Sequence, residues 1–293
     1  MPATEFHEVY KALEPIVDEV RKVHGIKSSS DVAHIVHIAA FVKNYEFNLY
    51  VSGLEDYAHS FYLTPTLRGM CEDIIVLKSI ANIDPKDRGE IIAHIQMAGV
   101  SESLATQERF FTANRPGQPI LKDKDAATKQ AQQEQKIQDI YRKYGLLKGK
   151  QKWVKIKDLA VSCGLLPVYE FFYSATSKWV HFSPQILLRM GWAKEKLQSA
   201  TYVFSTEHFA GHYANFNFIY GSYLFVLFFH SFKSEIPNAS AIEPHVKELE
   251  SLLDKILRWP EIITFEEMNV EPPHEIWYGV LKVFEEEKAK GKK

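Results

Sequence analysis

The sequence predicts an all-α fold: a single multi-helix bundle, residues 1–293, with a polar loop–helix–loop arm at 112–157 inserted in its middle. Three observations lead there. Apolar residues recur with helical period along nearly the whole chain, and no alternating run stands out as a strand. Thr64-Pro65 and Asp84-Pro85 each pair a capping residue with a proline suited to the first helical position. The stretch 216–232 is rich in Phe, Tyr and Leu, so other helices must cover it on all sides. With 46% hydrophobic residues, 293 residues have the means to do so.

The elements follow in order. Residues 4–24 form an amphipathic helix closed by Gly25. Ser30 caps a long helix from Asp31 towards Val51, interrupted near Gly53. Thr64 caps a helix to about Ala81, and Asp84 caps another to about Phe111. Pro116, Gly117 and Pro119 make 112–124 a loop. Residues 126–144 are helical but made largely of Gln, Lys, Glu and Ala, so this helix is either a solvated excursion or a partner-binding arm. Residues 145–157, with five lysines and two glycines, are a basic loop. Apolar density returns with a short helix from Asp158 to Cys163. It continues in a helix ended by Ser183-Pro184, one from about Gln198 to Phe232, and one from about Glu243 to Trp259. A last helix at 275–288 precedes a basic tail. The apolar final third must pack on the first, because 126–144 has few anchors with which to build a core.

A net charge of −2 gives no global attraction to nucleic acid or anionic lipid. Cys71 and Cys163 are the two cysteines, both in apolar context, as expected of buried thiols in a reducing cytoplasm. The N-terminus lacks signal-peptide character, and the unbroken apolar part of 216–232 is far short of a span. A soluble, cytoplasmic protein without membrane contact is the expectation.

The chemistry concentrates in two places. Tyr173, Ser177 and His181, read as i, i+4 and i+8, align on one helical face amid Phe and Trp. Arg68 and Glu72, at i and i+4 with Asp73 adjacent, share a face bordered by Leu67, Cys71 and Ile75. Brought together, they would form one polar network, with His181 as general acid or base, Arg68 holding a phosphate and Glu72 orienting either. The other reading is a satisfied network that fixes helix register. A weaker set is Glu207, His208 and His212, whose His-x-x-x-His spacing suits a metal but has no third ligand in view; His34 and His37 are weaker still. Phosphate-cradling glycine loops, Gly-x-Ser-x-Gly and Cys-x-x-Cys do not occur, and no cofactor or metal is expected.

The pairing of Arg-x-x-x-Glu with Tyr-x-x-x-Ser-x-x-x-His resembles a group of uncharacterised bacterial all-helical proteins, a domain of unknown function, over roughly residues 30–232. More loosely the chain is similar to the HEPN superfamily of helical nucleotide-binding proteins, many of them metal-independent ribonucleases of toxin and anti-phage systems that act as dimers. Their signature is Arg, four to six residues, then His on one helix; here Arg68 lies on a different helix from His181. The resemblance implies RNA binding or cleavage in bacterial stress or phage defence, with RNA and a second copy of the chain as partners. It implies His181 at a ribose 2′-OH, Arg68 at the phosphate, and Tyr173 and Ser177 as scaffold. The runner-up is a non-catalytic interaction or regulatory protein whose polar motif is structural.

Overall fold

The computed structural model of the protein describes residues 2–22, 29–193 and 202–264. Within them the fold is all-α, with one small two-stranded ribbon. The helices are α1 (Pro2–Val20), α2 (Ser29–Ser52), α3 (Ser60–Leu63), α4 (Thr66–Ala81), α5 (Pro85–Asn114), α6 (Ala126–Lys143), α7 (Ile156–Ser162), α8 (Leu166–Val180), α9 (Pro184–Arg189), α10 (Ala210–Phe232) and α11 (Ala239–Lys255). Strands β1 (Gly191–Ala193) and β2 (Tyr202–Phe204) pair antiparallel between α9 and α10. The sequence-predicted helix at 275–288 and its basic tail lie outside the described residues.

Helix α10 is the axis of the bundle. Its Phe216, Phe225, Phe228, Phe229 and Phe232 are buried, and α2, α3, α4 and α11 pack around it. A helix so largely apolar needs such a surround. Among the described residues no helix is long and apolar enough to cross a membrane. Its polar groups are paired inside: Asn217 Nδ2 donates to the Ser60 carbonyl at 2.8 Å, and Tyr10 Oη donates to Ser222 Oγ at 3.0 Å. Leaving such buried groups unpaired would cost about 1–3 kcal/mol each, so these contacts fix how α3 and α1 meet α10.

A second, smaller apolar cluster joins Ile80, Ile83, Ile91, Ile92, Ile137, Tyr141 and Leu147. Helix α6 lies along α5, and its Ala126, Ile137 and Tyr141 are buried. The helix with few anchors therefore uses those it has, on one face. Asp87 of α5 accepts from both Lys143 and Tyr144, which fastens the end of α6.

Three local expectations are corrected. Asp84 caps α5 as expected, its carboxylate accepting from the Lys86 amide. Thr64 does not N-cap α4: it is the C-cap of α3, and its hydroxyl is shared between Ser60 O at 3.3 Å and Asn217 Oδ1 at 3.0 Å. The helix expected from about Gln198 begins only at Ala210. Tyr-Val-Phe at 202–204 forms β2, as β-branched and aromatic residues favour, and Ser205 Oγ then accepts from the Glu207 amide in a turn. The helix expected to carry His181 stops at Val180, leaving His181 in extended conformation as the C-cap.

Candidate functional site

Helices α4 and α8 pack against one another and bring part of the two motifs together. On α4, Leu67, Met70, Cys71, Ile74 and Ile75 face the core, which turns Arg68 and Glu72 to the rim. Arg68 Nε donates to Glu72 Oε1 at 2.8 Å, the geometry expected at i and i+4; their side chains keep 25% and 29% exposure. The guanidinium carbon lies 5.0 Å from the centre of the Tyr173 ring. Tyr173 is 41% exposed, and one turn before it Tyr169 places its ring centre 5.5 Å away, at 31°. The result is a planar cation on an aromatic pair at the surface.

The electrostatics follow from these contacts. The bond to Glu72 holds the Arg68 guanidinium charged even beyond its ordinary range. Partial burial, then the neighbouring Tyr173 and Glu72, raise the Tyr169 phenol, so it stays a neutral ring. Of the Arg68 side-chain nitrogens, Nε alone is hydrogen-bonded to a described residue; the two terminal nitrogens of the fork have no such partner among the described residues and retain the paired geometry that suits a phosphate or carboxylate.

The rest of the Tyr173–Ser177–His181 row runs away from Arg68. At 1.5 Å per residue, His181 lies about 12 Å along α8 from Tyr173. Its amide donates to the Ser177 carbonyl at 3.0 Å and its side chain is exposed. Among the described residues no hydrogen bond or ion pair links the imidazole to Arg68, Glu72 or Tyr173. Nearby, Trp179 donates to Ala175 O and packs edge-on to Phe61 and Tyr213, while Lys178 reaches Gln185 across the bend into α9.

The weaker histidine set is rearranged. His208 precedes α10, in a turn, with Nδ1 2.8 Å from the Met190 carbonyl, so the helical spacing to His212 does not apply. His212 is on α10 against Tyr213 and Phe216. His37 is buried, its Nδ1 2.7 Å from the Ala33 carbonyl and its ring edge-on to Phe232. Among the described residues no three His, Cys, Asp or Glu side chains are grouped as a metal set.

Tyr169 is the participant that sequence reasoning missed. The signal was present, since Tyr169 and Tyr173 are themselves four apart on one helix. A groove of about 480 Å³ adjoins the cluster, with Val36, Glu72, Val76, Ile80, Ile92 and Ile156 among its lining residues.

An all-helical protein with an arginine–aromatic surface cluster is the class these features define. Residues 57–197, a little under half of the chain, match the model of a family of unknown function, DUF5677. That span contains Arg68, Glu72, Tyr173, Ser177 and His181. No curated protein and no solved structure matches the chain.

Proposed function

We propose that the chain is a HEPN-like protein that binds single-stranded RNA across the face of α4 and α8. The observation that carries this reading is Arg68: ion-paired through Nε, laid over Tyr173, one quarter exposed, with a second tyrosine beside the first. Aromatic rings accept bases without sequence preference, and an arginine fork accepts a phosphate bidentately. In this reading His181, exposed at the end of α8, assists proton transfer at a ribose 2′-OH farther along the same strand. Ser177 and Tyr173 hold the spacing between the two, and Glu72 fixes the Arg68 fork. An activity of that kind would serve a bacterial stress or phage-defence response.

Fluorescence anisotropy with labelled polyuridylate, followed by gel analysis of the RNA, tests both parts. The parent protein binds and cleaves. Arg68→Ala loses binding while remaining folded, since a partly exposed i,i+4 pair plus a surface cation–π contact contribute only about 1 kcal/mol to stability. His181→Ala binds but does not cleave. A parent protein that neither binds nor cleaves RNA overturns the reading.

A second reading, a non-catalytic interaction protein, is favoured by a different observation. Val180, Phe182, Leu187, Leu188, Val203 and Phe204 are all exposed around the α8–α9 bend and the ribbon, Phe182 at 86%. Clustered apolar exposure of this kind marks a contact surface. A stable oligomer or complex that survives Arg68→Ala but not Phe182→Asp would support it.

A further inference from the structure

We infer that residues 145–155 form a second contact for the same polyanion, a lysine-rich loop that tracks the backbone of a single strand while Trp153 stacks on a base. This rests on the RNA reading above. The loop is held at both ends. Leu147 is buried, and Leu146 and Val154 pack against both apolar clusters. Gly145 and Gly149 take φ of +69° and +58°, conformations that side-chain-bearing residues rarely adopt, and the Gln151 amide closes a turn on the Lys148 carbonyl at 3.3 Å. What such a loop displays is therefore placed by the fold.

It displays Lys148, Lys150, Lys152 and Lys155, all exposed, together with Trp153, half of whose surface is open. Among the described residues none of these four lysines is in an ion pair. Several cations of the neighbouring elements are matched: Arg68 by Glu72, Lys43 by Asp73, Lys157 by Glu170, Lys143 by Asp87. The chain carries a net charge of only −2, so four unmatched lysines in one loop are a local positive feature, not a share of a basic surface.

The loop also leads to the arginine–tyrosine face. Lys155 is the residue before α7, Ile156 lines the groove that Glu72 borders, and Lys157 of α7 holds Glu170, the neighbour of Tyr169 on α8. Lysines, Trp153, the Tyr169–Tyr173 pair and Arg68 thus lie on connected elements. Alternating cations and open aromatic rings fit single-stranded nucleic acid. An anionic membrane is the less fitting partner, because Trp153 is the only large apolar side chain the loop exposes.

The test is the salt dependence of polyuridylate binding, read by anisotropy on the full chain. A single-strand contact contributes about 0.7 to the slope of log K against log salt for each phosphate neutralised. The triple variant Lys148→Ala, Lys150→Ala, Lys152→Ala lowers that slope by about 2, and affinity at about 0.1 M salt falls on the order of 100-fold. Trp153→Ala weakens binding roughly tenfold with the slope unchanged. All these side chains are exposed, and circular dichroism confirms that the variants fold. If the parent binds RNA and the loop variants match it in affinity and slope, the loop proposal is overturned while the arginine–tyrosine reading stands. If the parent binds no RNA, both fall. Loss of cosedimentation with phosphatidylserine vesicles, with RNA binding intact, would assign the loop to a membrane and also overturn it.

Discussion

Replacing Gly221 by alanine would drive a methyl group into the crossing of α10 and α2. A Cβ at that position would lie 2.5 Å from Asn48 Oδ1 and 2.9 Å from a ring carbon of Phe47. The nearer neighbour, Asn48, cannot retreat easily. Asn48 is fully buried and its Nδ2 donates to the Gly221 carbonyl at 3.1 Å and to the Asn44 carbonyl at 2.8 Å. Overpacking costs about 1–3 kcal/mol and disturbing a buried side-chain hydrogen bond about 1–3 more, against a gain of about 1 kcal/mol for alanine over glycine within a helix. The net loss is about 3 kcal/mol, or a fall of about 5 °C in the melting temperature of a chain this size. Gly99 is the control. It lies within α5 with nothing within 4 Å of its would-be Cβ, so Gly99→Ala keeps the helix gain and raises the melting temperature slightly. Thermal denaturation followed by circular dichroism reads both. A Gly221→Ala protein as stable as Gly99→Ala would refute the close approach of α2 to α10, and with it the central packing of the bundle.

Two further outcomes are expected. Burial pushes the Cys71 thiol up to about 12, whereas Cys163 is only partly buried, so a thiol-directed reagent at neutral pH should modify Cys163 first; faster labelling of Cys71, read by peptide mass mapping, would contradict the placement of α4. Burial also lowers the His37 imidazole below its ordinary 6.5. The unfolded chain then takes up a proton before the folded one does, so this contribution to stability is complete well above that value and is lost as pH falls through and below it. His37→Leu should flatten this part of the stability profile, and an unchanged pH slope in urea titrations would count against the buried, neutral imidazole.

The elements read most directly from the sequence were those whose signals are local. The Asp84-Pro85 start of α5 and the Phe-rich run of α10 declare themselves within a few residues. Thr64 misled because its hydroxyl is claimed by Asn217, a residue 153 positions away that no local rule can see. The ribbon misled because its strands are three residues long, too short for period to separate strand from helix. In the site, the i,i+4 pairing of Arg68 with Glu72 was legible, as was its neighbourhood with Tyr173 once two apolar helices were required to pack. The position of His181 was not. Ser183-Pro184 marks where a helix must have ended, and α8 ends three residues earlier, which takes the imidazole off the helical face.

Photocrosslinking of single-stranded RNA to the intact protein, with the adducts mapped by peptide mass spectrometry, tests the central claim most directly. The account predicts adducts on the peptide holding Tyr169 and Tyr173, the aromatic pair beside Arg68. Adducts confined to α1 or α11, which pack on each other, or a complete lack of adducts under conditions that label a known RNA-binding protein, would contradict it.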